Sequence, residues 1–335
     1  MSIQTSVKGK FGKDNLLFVT VDSGKKVTYL LFDCGDCALF RLGKAVLQNI
    51  DHLFLSHLHI DHIAGFDSLF RHNYSRLNPL HIWGPQGTID ILHSRLKGFM
   101  WNLVDKSKGN IIIHDILEDK INSAIFYCKE KFAVSHPLDT EVLKNATIYQ
   151  NDDFMINASI LDHNTYCVAY ALKEHDKVNI DIQAMKKADL IPGIWCGSLK
   201  NNLLTNDTII NTGEKTFTLI SLRELLLKTT KGYKISYVTD IIMNKDNKNK
   251  LSQLIKDSNE LIIESTYKES ERELANKNYH LTVTDVALLA KESSIDKLTL
   301  FHVSDRYNKE DLKQMLHDAL SIYPNTSFPE NWKIN

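Results

Sequence analysis

The chain of 335 residues has no apolar run of about 18 residues, so no membrane-spanning helix is expected. Its N-terminal segment lacks the apolar core that a secretory signal peptide requires. Cysteine is scarce, and the set is odd and scattered: Cys34, Cys37, Cys128, Cys167 and Cys196. Such a set does not resemble a disulfide framework. The cytoplasm, which is reducing, is therefore the expected compartment.

Net charge is also almost absent, because 40 Lys and Arg residues oppose 41 Asp and Glu residues. This balance argues against a surface that binds nucleic acid over its whole area, although it is compatible with a local basic patch. The charged fraction of 24% beside 43% apolar residues is typical of a globular protein and excludes a disordered one.

Short apolar segments bounded by turns recur along the chain and predict strands. They dominate the first half, as in LLFVTV (16–21) and HLFLS (52–56), and alternate with helical patterns in the second half. Segment 309–320 has the spacing of an amphipathic helix, whereas NKDNKNK (244–250) is predicted to be a polar loop. The arrangement favours an α/β (α+β) fold with two packed sheets and helices outside them.

Residues 173–233 differ from their surroundings, since a short helical pattern, a Pro-Gly turn and a polar stretch follow one another there. The strand pattern resumes in KISYVTD (234–240). We therefore predict a single domain over 1–335 that carries an arm or insertion at about 173–233.

The densest group of metal-ligand side chains is SHLHIDH, which follows the predicted strand 52–56. His57 and His59 share one face while the strand continues, and Asp61 and His62 follow where the chain turns. Imidazole nitrogen and carboxylate oxygen are ligands of Zn²⁺ and related divalent cations. The segment therefore predicts a metal site.

Further ligand candidates end other apolar strand-like segments. His163, Asp240 and His302 each stand at the C-terminal end of such a segment. A lone residue of this kind is usually structural, but the shared layout beside SHLHIDH favours all three as ligands. The other scattered histidines are predicted to be structural or exposed: His72, His81, His93, His114, His136, His175 and His317.

SHLHIDH resembles the HxHxDH signature of the metallo-β-lactamase superfamily. Later segments resemble its ribonuclease Z branch in order, over about residues 14–322: LLFDCGD (30–36), GPQG (84–87), LDHNTYCVAYAL, VTD, LIIESTY (261–267), HLT (280–282) and FHVSDRY (301–307). The HLT, EST and HVSDRY set narrows the resemblance to this branch. The resemblance implies a four-layer αβ/βα sandwich with a dinuclear metal site at the edge of the two sheets.

The ligands that the resemblance implies form two groups around a bridging carboxylate: His57, His59 and His163 for one metal, Asp61, His62 and His302 for the other, and Asp240 for both. Two such cations lower the pKa of a water molecule and hold both oxygens of an in-line displacement at phosphorus. Zinc is the favoured metal, but manganese and iron suit the same ligand types.

The resemblance also implies roles for residues around the metals. His280 would protonate the leaving oxygen, with Glu264 holding its tautomer, and Asp61 would also orient the attacking water. Asp33 would support the metal loop, and Arg306 would contact a substrate phosphate. The alternatives are a surface histidine at a helix N-terminus for His280 and a structural ion pair for Arg306.

The implied function is metal-dependent, endonucleolytic removal of precursor tRNA 3′ trailers by a homodimer. One alternative is hydrolysis of a smaller phosphodiester or other ester on the same metals, and a second is an inactive RNA-binding relative. The full set of ligand and proton-transfer candidates weighs against the second. Ile60 stands where ribonuclease Z usually has Gly, which would alter the floor or rim of the site and therefore the substrate.

A second departure lies in the predicted arm. DLIPGIWCGSLKNN (189–202), with Lys186, Lys187 and Lys200 nearby, only partly resembles the motif region of an arm that grips tRNA. The alternative is a surface loop that packs on the body or on a partner subunit, with Trp195 as an anchor of that packing.

Overall fold

The computed structural model describes residues 2–104, 108–201, 203–213 and 215–334, without the side chain of Cys37. The chain divides into two compact units. The larger one extends to Lys173 and resumes at Tyr233, and the smaller one is Glu174–Gly232. The organisation as one domain carrying an arm stays a prediction.

The first sheet of the larger unit has the strand order β1-β2-β3-β4-β5-β6-β7-β8, with β9 beside β7. Its strands are β1 (Ser2–Gly9), β2 (Asn15–Asp22), β3 (Val27–Phe32), β4 (Ile50–Phe54), β5 (Leu80–Pro85), β6 (Asn110–Ile116), β7 (Lys120–Tyr127), β8 (His136–Pro137) and β9 (Glu141–Val142). Strands β3 to β6 are parallel, so their carboxyl ends lie at the same edge of the sheet.

The second sheet has the order β10-β11-β12-β17-β18-β19-β20. Its strands are β10 (Thr147–Gln150), β11 (Phe154–Asp162), β12 (Tyr166–Glu174), β17 (Lys234–Val238), β18 (Glu260–Glu264), β19 (Lys297–Phe301) and β20 (Thr326–Ser327). Strands β17 to β20 are parallel, so this sheet also collects carboxyl ends at one edge.

Helices cover the outer faces of both sheets. Leu69 and Leu92 pack with Leu53 against the first sheet, in a core that is separate from the one between the sheets. The helices are α1 (Asp36–Leu39), α2 (Lys44–Leu47), α3 (Ile60–Ile63), α4 (Phe66–Asn73), α5 (Thr88–Leu96), α9 (Lys245–Ile255), α10 (Arg272–Lys277), α11 (Val283–Glu292) and α12 (Lys309–Ile322). The predicted four-layer αβ/βα sandwich is confirmed.

The prediction of a polar loop at 244–250 is wrong, because most of this segment forms the first half of α9. The side chain of Asn244 accepts a hydrogen bond from the backbone of Asn247 and caps the helix. The amide of Asn247 is buried and donates to the carbonyls of Asp162 and Ile242. Apolar residues occur only in the second half of α9, so the polar first half gave no helical pattern. The helix predicted at 309–320 is confirmed as α12.

The smaller unit has its own apolar core. Met185, Leu219 and Leu222 are buried there, and Trp195 packs against this cluster while its indole N–H donates to the carbonyl of Ile191 at 3.2 Å. Its elements are β13 (Lys177–Ile180), α6 (Ile182–Lys187), α7 (Cys196–Leu199), β14 (Ile209–Asn211), β15 (Thr216–Thr218), α8 (Leu219–Leu226) and β16 (Leu227–Thr230). Asn202, the last residue of the predicted arm motif, lies outside the described residues. None of the helices described is long and apolar enough to cross a lipid bilayer.

Candidate metal centre

The predicted site residues follow the carboxyl ends of strands from both sheets. Strand β4 leads into the loop with His57 and His59, and α3 adds Asp61 and His62. In the second sheet, a site residue follows each of three strands: His163 after β11, Asp240 after β17 and His302 after β19. The topology therefore gathers residues that are far apart in the sequence.

Three of these strand ends have unusual backbone conformations. Asp33, Asp240 and His302 have φ angles of 59°, 44° and 50°, in the left-handed region. Such a conformation costs a residue other than glycine about 1–3 kcal/mol, and strained residues of this kind cluster at functional sites. The sharp turns allow all three side chains to leave their strands towards the site.

The first group of ligand-type atoms comes from His57, His59, His163 and Asp240, and these atoms lie within 4.8 Å of one another. Nε2 of His57 is 2.9 Å from Nδ1 of His59 and 3.6 Å from Oδ2 of Asp240. Nε2 of His163 is 3.7 Å from the same carboxylate oxygen. Its Nδ1 donates to the carbonyl of Tyr279 at 2.7 Å, which leaves Nε2 facing the group.

The second group comes from Asp61, His62, Asp240 and His302, again within 4.8 Å. Nε2 of His62 is 3.3 Å from a carboxylate oxygen of both Asp61 and Asp240. His302 approaches Asp61 at 3.6 Å and Asp240 at 3.2 Å. Asp240 is common to both groups, so the structure brings together all seven residues that were predicted as ligands.

The electrostatics of both groups favour a bound cation. Nε2 of His62 is buried and has no hydrogen-bond partner in the described structure. Burial disfavours charge on this ring, but Asp33 and Asp240 outweigh it and raise the pKa of His62, so the position favours positive charge. Burial, followed by the neighbouring His62, lowers the pKa of His57 to about 2 and keeps it as the neutral imidazole that binds metals. These residues therefore fit a divalent cation.

Asp33 lies behind this group and is fully buried. It accepts hydrogen bonds from the backbone N–H of Ser56 at 2.7 Å, from Nδ1 of His62 at 2.8 Å and from the hydroxyl of Tyr237 at 2.7 Å. Because a carboxylate only accepts, Nδ1 of His62 carries the proton and Nε2 faces the site. Tyr237 was missed from the sequence, where its only indication was its position on the strand that precedes Asp240.

The Asp33→Asn variant is expected to bind Zn²⁺ about 10- to 100-fold more weakly. This is the usual effect of removing a residue that hydrogen-bonds a metal ligand. An amide does not supply the negative charge that orients the N–H of His62. Affinity can be measured by competition with a chromogenic chelator, with Asp36→Asn on α1 as the matched control. An unchanged affinity in Asp33→Asn would exclude a supporting role for this carboxylate.

His280 and Glu264 form a pair beside the two groups, and their ligand-type atoms lie within 4.8 Å of those of Asp240 and His302. Nδ1 of His280 is 3.0 Å from Oε2 of Glu264, and the other oxygen of Glu264 accepts the N–H of Ile241 at 2.8 Å. Burial disfavours the charged ring, but the carboxylate of Glu264 outweighs it and raises the pKa of His280 to about 9. Thr266, another residue that the sequence analysis missed, donates to Glu264 at 2.5 Å and contacts the carbonyl of His302.

A cavity of about 290 Å³ opens beside these residues, and Asp61, His62, His280 and His302 line it. Lys13, from the turn between β1 and β2, also lines the cavity and adds a positive charge that the sequence analysis did not foresee. The turn packs closely, because a Cβ on Gly12 would lie 2.8 Å from Cα of Asp305.

Ile60 and Arg306, which the sequence analysis connected with the substrate, do not line this cavity. Ile60 is 80% exposed on the first turn of α3. Arg306 pairs with Glu271 at 3.2 Å and lies over the ring of Tyr267. This ion pair is the alternative that the sequence analysis raised for Arg306. A contact between Arg306 and a substrate phosphate stays a prediction.

Comparisons with known proteins place the chain in a family. The chain is 34% identical over 331 residues to a ribonuclease Z of Deinococcus radiodurans, an alignment that covers 98% of each protein. The chain belongs to the ribonuclease Z family. The predicted superfamily, branch and class of metal-dependent hydrolase are confirmed, and the family implies divalent metal binding.

Other comparisons concern the fold and the N-terminal half. The metallo-β-lactamase fold protein YhfI of Bacillus subtilis superposes with a TM-score of 0.57 at 15% identity, covering 97% of this chain and 95% of that one. The short form of human tRNase Z superposes with a TM-score of 0.51 at 17% identity, covering 92% and 94%. The profile of a family described as "Anti-Pycsar protein Apyc1" matches residues 6–172 of this ribonuclease Z family member.

Proposed function

We propose that the two groups would hold two divalent cations, with zinc as the native metal, and that Asp240, which belongs to both groups, would be a ligand of both. Imidazole nitrogens predominate in the combined donor set, with two carboxylates, which suits zinc among the divalent metals. Two such cations lower the pKa of a water molecule and polarise a phosphodiester.

His280 then acts as the proton donor to the leaving oxygen. Its pKa of about 9 keeps the ring protonated at neutral pH, and Glu264 holds Nδ1 so that Nε2 carries the proton to be transferred. Asp61, which lies at the cavity wall, orients the attacking water. Lys13 offers its ammonium group to a non-bridging phosphate oxygen.

The substrate that we infer is precursor tRNA, cut endonucleolytically to release the 3′ trailer. The observation that carries this inference is the combination of the two metal-ligand groups with the His280–Glu264 pair, in a chain that aligns with a ribonuclease Z over nearly its whole length. The solved relative named human tRNase Z has the same fold. A homodimer and a cytoplasmic location belong to the same proposal.

A smaller phosphodiester is the second candidate substrate. It is favoured by the cavity of about 290 Å³, which admits a single nucleotide more readily than a folded RNA. The exposed Ile60, where ribonuclease Z usually has Gly, is a further departure near the site.

The deciding experiment is cleavage of a precursor tRNA with a 3′ trailer, in Zn²⁺ and in Mn²⁺. An unstructured RNA of equal length and the Asp240→Ala variant serve as controls, and a cyclic mononucleotide and bis(p-nitrophenyl) phosphate as small substrates. We expect metal-dependent cutting next to the discriminator base, absent in the variant and much slower on the unstructured RNA. Turnover of the small esters without preference for folded RNA would discard the tRNA assignment in favour of the second candidate.

A further inference from the structure

A second cluster of polar rings lies towards the amino end of β4, away from the metal centre. His52 on β4 is paired in register with His81 on β5, and Trp83 on β5 is paired with His114 on β6. His52 precedes His57 by five residues, which is about 16 Å along an extended strand. The two clusters are therefore separate.

The rings of this second cluster face the space between the two sheets, which is normally filled by apolar side chains. The ring of Tyr149, on β10 of the second sheet, lies 4.3 Å from that of His52. A cavity of about 870 Å³ opens there, lined by His81, Trp83, His114 and Tyr149. Its volume is within the range of about 300–1,000 Å³ that is usual for small-molecule sites.

Hydrogen bonds and stacking hold the wall of this cavity in place. The indole N–H of Trp83 donates to Nδ1 of His52 at 3.1 Å, and the rings of Trp83 and His114 are stacked at 3.7 Å. A ring nitrogen of His81 is 3.1 Å from one of His114, whose other nitrogen contacts the hydroxyl of Ser123 at 2.7 Å. Such a fixed wall is preorganised to receive a ligand.

The aromatic rings of the wall favour a planar ligand that can stack on them. Burial lowers the pKa of His114 to about 3, and it also lowers the pKa values of His52 and His81, so the rings are neutral at pH 7. These rings therefore carry no charge to attract an anion, and the charges of the lining come from Glu141 and Lys144. Among the described residues, no third ligand atom joins His81 and His114 to complete a metal site.

We propose that this cavity binds a nucleobase. His81 and Tyr149 are only partly buried and present ring faces for stacking. Asn157 and Gln150 line the same cavity; Oδ1 of Asn157 accepts from the hydroxyl of Thr147 at 2.9 Å, which holds its amide N–H donors for the edge of a base. Lys144 also lines the cavity and supplies a positive charge for a phosphate attached to the base. The base comes from a free nucleotide or from a single-stranded RNA, and the proposal does not depend on the reaction at the metal centre.

Binding of adenosine, guanosine, cytidine and uridine to the metal-loaded full chain tests this proposal by isothermal titration calorimetry. Nucleosides carry no phosphate, so they do not probe the metals. We expect at least one nucleoside to bind, and Tyr149→Leu to weaken it about tenfold, as loss of a base-stacking ring does. His81→Gln, which keeps a polar side chain and removes the ring, should weaken it too, while His72→Gln on α4 is the matched control.

Hydrolysis of bis(p-nitrophenyl) phosphate should be unchanged in all three variants, which shows that each is folded. Competition of a short single-stranded RNA with the nucleoside would identify RNA as the source of the base, and failure to compete would identify a free nucleotide. The proposal is overturned if no nucleoside binds at millimolar concentration. It is equally overturned if binding survives both Tyr149→Leu and His81→Gln.

Discussion

The Asp240→Ala variant is expected to lose bound metal and hydrolytic activity together. Asp240 belongs to both groups of ligand atoms, and its carboxylate lies within 3.7 Å of a ring nitrogen of His57, His62, His163 and His302. Its removal leaves these rings without their common anionic partner. Removal of a residue that only hydrogen-bonds a metal ligand already lowers metal affinity or activity about 10- to 100-fold. The decrease in Asp240→Ala should exceed that range, because Asp240 is itself a candidate ligand.

Metal content by mass spectrometry and turnover of bis(p-nitrophenyl) phosphate measure the two effects on the same sample. The His59→Ala variant should behave alike, because His59 belongs to the first group. Asp305→Asn is the matched control, since Asp305 lines the cavity but belongs to neither group. Full activity in both Asp240→Ala and His59→Ala would refute the metal assignment.

The His280→Ala variant is expected to keep its metals and to lose rate. General acid catalysis by a positioned side chain contributes about 10²- to 10⁴-fold, so cleavage of RNA should slow by a factor in that range. An ester with a p-nitrophenolate leaving group should be affected least, because this group departs without a proton. Comparison of the kcat values for RNA and for this ester measures proton donation by His280. An equal decrease in kcat on both substrates would contradict that role.

The pH dependence of the Glu264→Gln variant supplies a second measure of the same role. The pKa of His280 is about 9 because the charge of Glu264 outweighs burial, so removal of that charge lowers the pKa. A general acid works in its protonated form, and activity falls as the pH rises through its pKa. The alkaline limb of RNA cleavage should therefore move to lower pH in Glu264→Gln. If the alkaline limb does not move in Glu264→Gln, the group that titrates there is not His280.

The candidate ligands were predictable because each carries a local indication. SHLHIDH concentrates four metal-binding side chains after an apolar strand, and His163, Asp240 and His302 each end another such strand. Carboxyl ends of parallel strands meet at one edge of a sheet, so neighbouring strands suffice to predict that these residues converge. His280 and Glu264 came instead from the resemblance of HLT and EST to family motifs.

Contacts between distant segments gave no such indication. The hydroxyl of Tyr237 reaches Asp33 across 204 positions of sequence, and Lys13 reaches the cavity from a turn near the N-terminus. Thr266 was seen only as part of a motif, although it links Glu264 to His302. These contacts depend on which strands face each other and on the register between them. The periodicity of a single segment predicts neither the facing strand nor the register.

The sequence by itself determined the family and the layered fold and predicted the candidate metal ligands, because motifs and apolar periodicity are local properties of the chain. Only the tertiary structure decided which scattered residues lie together. His81 and His114 were predicted to be structural or exposed, and the register of β5 and β6 with the facing sheet places both at one cavity, which the sequence did not indicate. Pairing between strands, and packing between sheets, are set by the free energy of the whole fold, which no single segment encodes.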